Sequence, residues 1–187
     1  MKNQILSILS SYLEIFPNEL NRQKILMEYL SKNNDEQIID WNNFNGHLVA
    51  TGFVYSKKDK KFLVLYHKDL KIYLFPGGHI YTDDKTPLAA AKREVTAETG
   101  LKENLLNLVG DDLVPIDIDT HIIEYNERRN LPAHYHFDFR YLFIIDEIKN
   151  ISIDEEEHDN YKWIDINELA KDSNYKSIIS KIEGYLN

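Results

Sequence analysis

Apolar residues recur at helical spacing through the first thirty positions. Ile5, Ile8, Leu9, Tyr12, Leu13 and Phe16 fall on one face of a 3.6-residue repeat, and Leu26, Tyr29 and Leu30 continue a second stripe. Pro17-Asn18 separates the two, with Asn18 the expected N-cap of the second helix. The polar run from Ser31 to Gln37 closes this part. Residues 1–42 therefore read as an N-terminal helical extension, either a packing appendage or dimer contact or an element of substrate specificity.

Beyond Gly46 the pattern becomes strand-like. His47–Tyr55 and Phe62–Tyr66 read as two strands joined by a turn at Lys57-Lys58-Asp59-Lys60. Leu74-Phe75 leads into a glycine turn. Thr86-Pro87 then opens a helix with an N-cap hydroxyl and a proline at the first helical position, and Gly100 closes it. Leu88, Ala91 and Val95 form its buried stripe. Leu113–Tyr125 and Tyr135–Ile145 read as two longer strands, Tyr161–Ile164 as a short one, and Ser173–Leu186 as a terminal helix with Ile178, Ile179 and Ile182 inward. Residues 43–187 thus form an α/β domain, a mixed sheet between helices.

Composition narrows the partners. The chain has 187 residues, 43% apolar, with a net charge of −9. That charge argues against an extended nucleic acid, whose phosphates need clustered Lys and Arg. A phosphorylated small molecule stays compatible, because a bound metal reverses the field locally. There is no cysteine, which excludes disulfides, zinc–thiolate sites and thiol nucleophiles. The N-terminus fails as a signal peptide, and no apolar run is long enough to span a bilayer. A cytoplasmic protein with no membrane partner is the expectation.

The chemistry concentrates in residues 76–101. Glu94 and Glu98 lie four apart on one helical face, where two carboxylates can share a hard cation such as Mg²⁺. Farther on, His134, His136, Asp138 and Arg140 alternate with Tyr135, Phe137, Phe139 and Tyr141. A period of two sends the polar set to one face and the aromatics to the core. The polar face admits three roles: lining a cleft for phosphate or sugar, forming an internal ion network, or holding a metal through His, His and Asp. His47, His67, His121 and His158 look isolated, hence structural or superficial.

The stretch from Gly78 to Leu101 resembles the Nudix box, G-x5-E-x7-R-E-U-x-E-E-x-G-U with U apolar. Gly78, Arg93, Glu94, Val95, Glu98, Gly100 and Leu101 match it. The segments 115–121 and 132–140 are similar to those of a bacterial Nudix subgroup with a helical N-terminus, a hydrolase core and a final Trp strand. The resemblance implies an α/β/α sandwich with a mixed β-sheet and the N-terminal extension. It implies hydrolysis of the diphosphate linkage in a nucleoside diphosphate derivative, of the nucleotide or nucleotide-sugar class, with Mg²⁺ or Mn²⁺.

By that resemblance Glu94 and Glu98 are metal ligands, and Arg93 orients the carboxylates. Gly77 and Gly78 shape the turn before the helix. Where the polar face of the histidine strand lines the cleft, His79 joins His134, His136, Asp138 and Arg140 as substrate-binding residues. Two departures stand out. Ala97 replaces the first Glu of the Glu-Glu pair, and the loop before Arg93 is one residue longer than the pattern. Asp84 is the expected counterpart of the first box Glu when counted from Gly78; Lys85 falls there when counted from Arg93. Glu156 or Glu157, in the acidic run 154–157, would supply the missing metal oxygen or the base for the attacking water. The shortened carboxylate set keeps open a second class, a Nudix-fold sensor that binds a nucleotide or sugar nucleotide without cleaving it. A homodimer through the apolar N-terminal helices is compatible with either.

Overall fold

The computed structural model describes residues 1–111, 114–125, 127, 130–171 and 175–186. Eight strands form one sheet: β1 (His47–Ser56), β2 (Lys61–His67), β3 (Tyr73–Leu74), β4 (Gly77–His79), β5 (Asn107–Leu108), β6 (Asp117–Ile123), β7 (His134–Ile145) and β8 (His158–Ile164). The helices are α1 (Lys2–Ile15), α2 (Lys24–Lys32), α3 (Pro87–Thr99), α4 (Ile166–Leu169) and α5 (Lys176–Leu186).

The spine is the parallel pair β1 and β7, in register from His47↔His136 to Ser56↔Ile145. A parallel pair is buried on both faces, which is why Leu48 to Val54 and Phe137 to Phe143 read as apolar throughout much of their length. The other edge of β1 is divided. Tyr55 and Ser56 pair with β2, while Val49, Ala50 and Thr51 pair with His79, Gly78 and Gly77 of β4. β1 and β2 therefore part after two pairs, and the three-residue β4 fills the fork.

The two faces carry separate cores. One gathers Ile5, Leu9, Leu26 and Leu30 from α1 and α2, Ala90, Ala91 and Val95 from α3, and Phe137, Phe139 and Tyr141 from β7. The other gathers Phe53, Phe62 and Leu142 under Leu169, Ile178 and Ile182 of α4 and α5. The result is an α/β/α sandwich with a mixed sheet, as expected. Each fully buried Leu, Ile or Phe contributes about 1.5–3 kcal/mol from transfer out of water.

Ile5, Ile8, Leu9 and Tyr12 of α1, Leu26, Tyr29 and Leu30 of α2, and Phe137, Phe139 and Tyr141 of β7 are buried as their spacing predicts, while Leu13, Phe16 and Tyr135 are half-buried against them. Asn18 does not cap α2. It sits within a 3₁₀ turn, Pro17–Glu19, and α2 starts six residues later after Gln23 without a side-chain cap. Proline at the first position of such a turn keeps its fixed φ, which tightens the break rather than restarting an α-helix. The strand expected from Leu113 begins at Asp117, with Leu113 outside the described residues. So is Ser173, the expected start of the terminal helix. Asn126, Arg128 and Arg129 of the polar loop 126–131 lie outside them as well. No helix of the described residues is long and apolar enough to cross a membrane.

Candidate active site

The local sequence fixes α3 at both ends. The Thr86 side chain accepts from Ala89 N at 3.0 Å, and Pro87 occupies the first turn. Such a cap contributes about 1 kcal/mol. At the other end Gly100 adopts φ 67°, the left-handed conformation glycine takes without strain. Between them Glu94 and Glu98 point inward, at 9% and 5% exposure, onto the backbone of β4. A Cβ built on Gly78 would lie 2.6 Å from Glu94 Oε1, so only glycine allows this approach. The N–H of Gly77 donates to Glu98 Oε2 at 3.3 Å.

Arg93 is fully committed. Its Nε and Nη2 donate to the two oxygens of Asp84 at 3.0 and 2.7 Å, Nη1 donates to Glu94 Oε1 at 2.7 Å, and Nη2 also donates to the His79 carbonyl at 2.9 Å. Such a fork gives direction as well as charge. Tyr81 N donates to Asp84 Oδ2 at 2.8 Å, and these partners hold the Asp84 carboxyl below its usual pKa against the opposing effect of burial. Both Asp84 oxygens are thus spoken for by protein donors.

Glu98 is the opposite case. Its hydrogen bond from Gly77 is long, and His158 Nε2 stands 3.9 Å away. Burial first, then the charges of Glu94 and Glu157, push its carboxyl up to about 9. Burial also raises Glu94, although Arg93 opposes it. Buried carboxyls of which one lacks a cationic partner have the donor chemistry that suits a divalent ion, which would supply the missing positive charge.

Glu157 reaches this site through a loop stitched to α3. Ser152 N donates to Thr99 O at 3.0 Å and Asp154 N to Glu98 O at 3.2 Å. The Glu157 charge acts on Glu94, Glu98 and His79 alike. Glu156 is exposed, and its N–H is turned back to Asp154 Oδ1 at 2.8 Å.

The polar face of β7 divides in two. His136 Nε2 lies 3.0 Å from His47 Nε2 and 3.3 Å from His134 Nε2, while His79 Nε2 lies 3.1 Å from His47 Nε2. Burial and the neighbouring imidazoles push His47 down to about 3 and His136 to about 2, so both rings stay neutral. Asp138 and Arg140 join a different group. Arg140 donates to Asp138 at 2.8 Å, Asp117 at 3.2 Å and Asp119 at 2.9 Å. Arg22 reaches Asp117 at 2.6 Å and Asp119 at 2.7 Å, and Lys181 reaches Asp117 at 2.9 Å.

With this geometry in view, residues 46–182 match the family model of the NUDIX domain. The chain belongs to the NUDIX family. Over 140 residues it is 29% identical to the "Probable DHNTP pyrophosphohydrolase" of Lactococcus lactis subsp. cremoris, across 75% of this chain and 79% of that protein. A NUDIX-family hydrolase of Clostridium perfringens is similar in fold, with a TM-score of 0.54 and 25% identity over 75% of this chain and 95% of the other. The dihydroneopterin triphosphate pyrophosphohydrolase of E. coli gives a TM-score of 0.57 at 19% identity, over 74% and 94%. The protein is a Nudix-type diphosphate hydrolase.

In this Nudix enzyme Ala97 is exposed, while Glu94 and Glu98 turn inward within the field of Glu157 from the loop. Sequence reasoning passed over several residues that the fold brings in. His47 looked isolated, yet it sits at the centre of the histidine group. His158 is buried beside Glu98, and His121 Nδ1 lies 3.0 Å from Asp119 Oδ2. His67 accepts from Asp69 N and Leu70 N at 3.2 and 3.3 Å, a turn contact. Asp117, Asp119, Arg22 and Lys181 were also missed. The motif Asp117-Ile-Asp119, with alternate residues on one face, was the one available signal.

The close approach at Gly78 can be checked directly. Gly78→Ala is expected to push the Glu94 carboxylate aside, lowering turnover at least about tenfold, the effect on a rate of some 1.4 kcal/mol. Kinetics and thermal melts of the same protein should show the rate falling far more than the stability.

Proposed function

We propose that this enzyme cleaves the diphosphate linkage of a nucleoside diphosphate derivative, or of a triphosphate on a purine-like ring, by water attack at phosphorus. Glu94 and Glu98 would hold Mg²⁺ or Mn²⁺. Bound there, the ion would neutralise the diphosphate and lower the pKa of the attacking water. The observation that carries this is the contrast around α3: Asp84, in the loop before the helix, has both oxygens bound by Arg93, whereas Glu98 on the helix is buried with no cation of its own.

Each residue then has a task. Arg93 is a positioning residue, tying the Glu94 carboxylate, Asp84 and the His79 carbonyl into one rigid unit. Gly77 and Gly78 let the β4 backbone press against both carboxylates. Glu157 accepts the proton of the attacking water, the role that suits an exposed carboxylate within the field of the pair. His79, His134 and His136 face the same side of β4 and β7 and border the cleft, and Asp138 and Arg140 stiffen it. The substrate class draws on the Lactococcus lactis relative, a probable DHNTP pyrophosphohydrolase.

The test is a panel of nucleoside triphosphates, nucleoside diphosphate sugars, dinucleoside polyphosphates and dihydroneopterin triphosphate, assayed with Mg²⁺, with Mn²⁺ and with chelator. Release of a monophosphate product that depends on the ion is expected. Saturable binding with no product under either ion would sink the proposal.

A pH dependence follows as well. Without an ion, Glu98 keeps its proton at neutral pH, because its pKa is raised to about 9. The ion must displace that proton, so affinity for Mg²⁺ climbs as pH rises from 7 towards 9, with proton release on binding. Calorimetry in two buffers of different ionisation enthalpy measures the released proton directly.

A further inference from the structure

Four imidazoles on β1, β4 and β7 converge in a way the diphosphate chemistry does not require. His47 is 1% exposed and stands in register opposite His136, while His79 lies opposite Val49 on the other side of β1. The ligand atoms of His47, His79 and His136 all lie within 4.8 Å of one another. His134 adds a fourth Nε2, 3.3 Å from that of His136.

Protons alone satisfy this arrangement only by sharing. His134 Nδ1 lies 2.7 Å from the Pro132 carbonyl, so it must be the donor, and the Nε2 of the neutral ring is a bare lone pair. Three Nε2–Nε2 contacts remain: His79–His47, His47–His136 and His136–His134. A neutral ring has one N–H. The only matching pattern alternates, N–H on His79 and His136 and lone pairs on His47 and His134. It splits the single His136 N–H between two acceptors and shares the single His47 lone pair between two donors. No assignment of neutral tautomers satisfies all three contacts with a hydrogen and a lone pair each.

A metal ion needs no such sharing, because it uses lone pairs only. Zn²⁺ binds imidazole at about 2.0–2.1 Å, which puts tetrahedral ligand nitrogens roughly 3.3 Å apart. Two of the triad's three pairs, at 3.0 and 3.1 Å, are close to that spacing, and the third lies within 4.8 Å. We propose that His47, His79 and His136 hold a nitrogen-seeking divalent transition ion of the Zn²⁺ class, with the His134 ring or a water completing the shell. An all-imidazole set selects such ions over Mg²⁺, which demands oxygen. This site is separate from the carboxylates of α3, but one strand joins them. The carbonyl of His79 receives Arg93 Nη2, and Gly78 backs onto Glu94. The ion clasps β4 between β1 and β7 and so fixes the glycine turn.

The test uses the full-length protein, stripped with a chelator and titrated with Co²⁺ as an optical probe. One tight equivalent is expected, giving a visible ligand-field band that Zn²⁺ abolishes. Zn²⁺ should also raise the thermal midpoint under conditions where the same concentration of Mg²⁺ does not. His136→Gln, and independently the half-buried His79→Gln, should lose the band and the shift. Glu98→Gln should keep both. The proposal is overturned if the wild type takes up less than about a tenth of an equivalent, or if the band survives both histidine variants, or if it disappears in Glu98→Gln. Since none of these readouts involves turnover, a failed substrate panel leaves the result standing.

Discussion

Glu98→Gln is expected to lower turnover of any diphosphate substrate by about 10²–10⁴-fold, and to raise the melting temperature of the metal-free protein. The rate effect follows from removing a charged ligand. A metal contributes several kcal/mol of charge stabilisation to such reactions, and each 1.4 kcal/mol is tenfold in rate. The stability effect runs the other way. In the fold the Glu98 carboxyl titrates near 9, against 4.5 in its ordinary state. The folded protein therefore holds a proton that the unfolded chain releases between those values. Whatever stability the protonated group allows is fully present below about pH 4.5 and is lost as pH rises through 9. Glutamine mimics the protonated acid at every pH, so the variant escapes that loss. A melt series at pH 6, 7 and 8.5 without metal should show the gap between variant and wild type widening with pH. Equal melting curves at pH 8.5 would mean that Glu98 is not strained by its burial. Wild-type turnover in the variant, measured with any substrate identified, would remove Glu98 from the metal site.

The second large effect concerns Arg140. Its guanidinium, 5% exposed, is shared by Asp117, Asp119 and Asp138, and Arg22 and Lys181 complete the group. Arg140→Met would leave these carboxylates short of a cation in a dry setting. Breaking such a buried pair costs about 3–5 kcal/mol. For a chain of this length that lowers the melting temperature by roughly 10 °C. Arg140→Lys should recover only part of the loss, because an ammonium cannot fork between three acids. The pH sense is opposite to that of Glu98. Despite burial, hydrogen bonds and charges from Arg22 and Arg140 hold Asp117 and Asp119 below the ordinary value of 3.8. Their contribution is present above that value and is lost as pH falls through the depressed pKa. Acid unfolding of the variant should therefore begin at a higher pH than that of the wild type, as read by circular dichroism.

Much of this was legible in the chain because it is local. The caps of α3, the stripes of α1 and α2 and the aromatic face of β7 all follow from spacing within a dozen residues. The carboxylate pair is equally local, since positions four apart share a helical face whatever surrounds them. What could not be seen depends on register between distant strands. His47 becomes part of a site because β1 aligns with β7 at a separation of 89 residues, and a period of two does not say which strand lies alongside. The role of Asp84 was hidden for another reason. A carboxylate near a metal box could serve the ion or the arginine, and the bonds from two Arg93 nitrogens to its two oxygens are visible only in the fold. The alternation in His134–Arg140 gives one polar face, but the face serves two clusters: β6 sets Asp117 and Asp119 opposite Arg140 and Asp138, while His47 of β1 stands opposite His136 at the other end.

The loop that delivers Glu157 is anchored largely through main-chain atoms, Ser152 N and Asp154 N to the last carbonyls of α3 and Lys68 N to the Glu157 carbonyl, with Lys68 Nζ and Asp154 Oδ1 adding side-chain bonds to its backbone. Those bonds are indifferent to the side chains they carry. Residues 155–157 can thus be exchanged while their Cα positions above the carboxylates stay put. The fold has in effect a socket there, into which a different acid, an amide or a ring can be fitted without redesigning the sheet or the helix. Retuning the chemistry of this enzyme, in nature or in the laboratory, would cost least at that point.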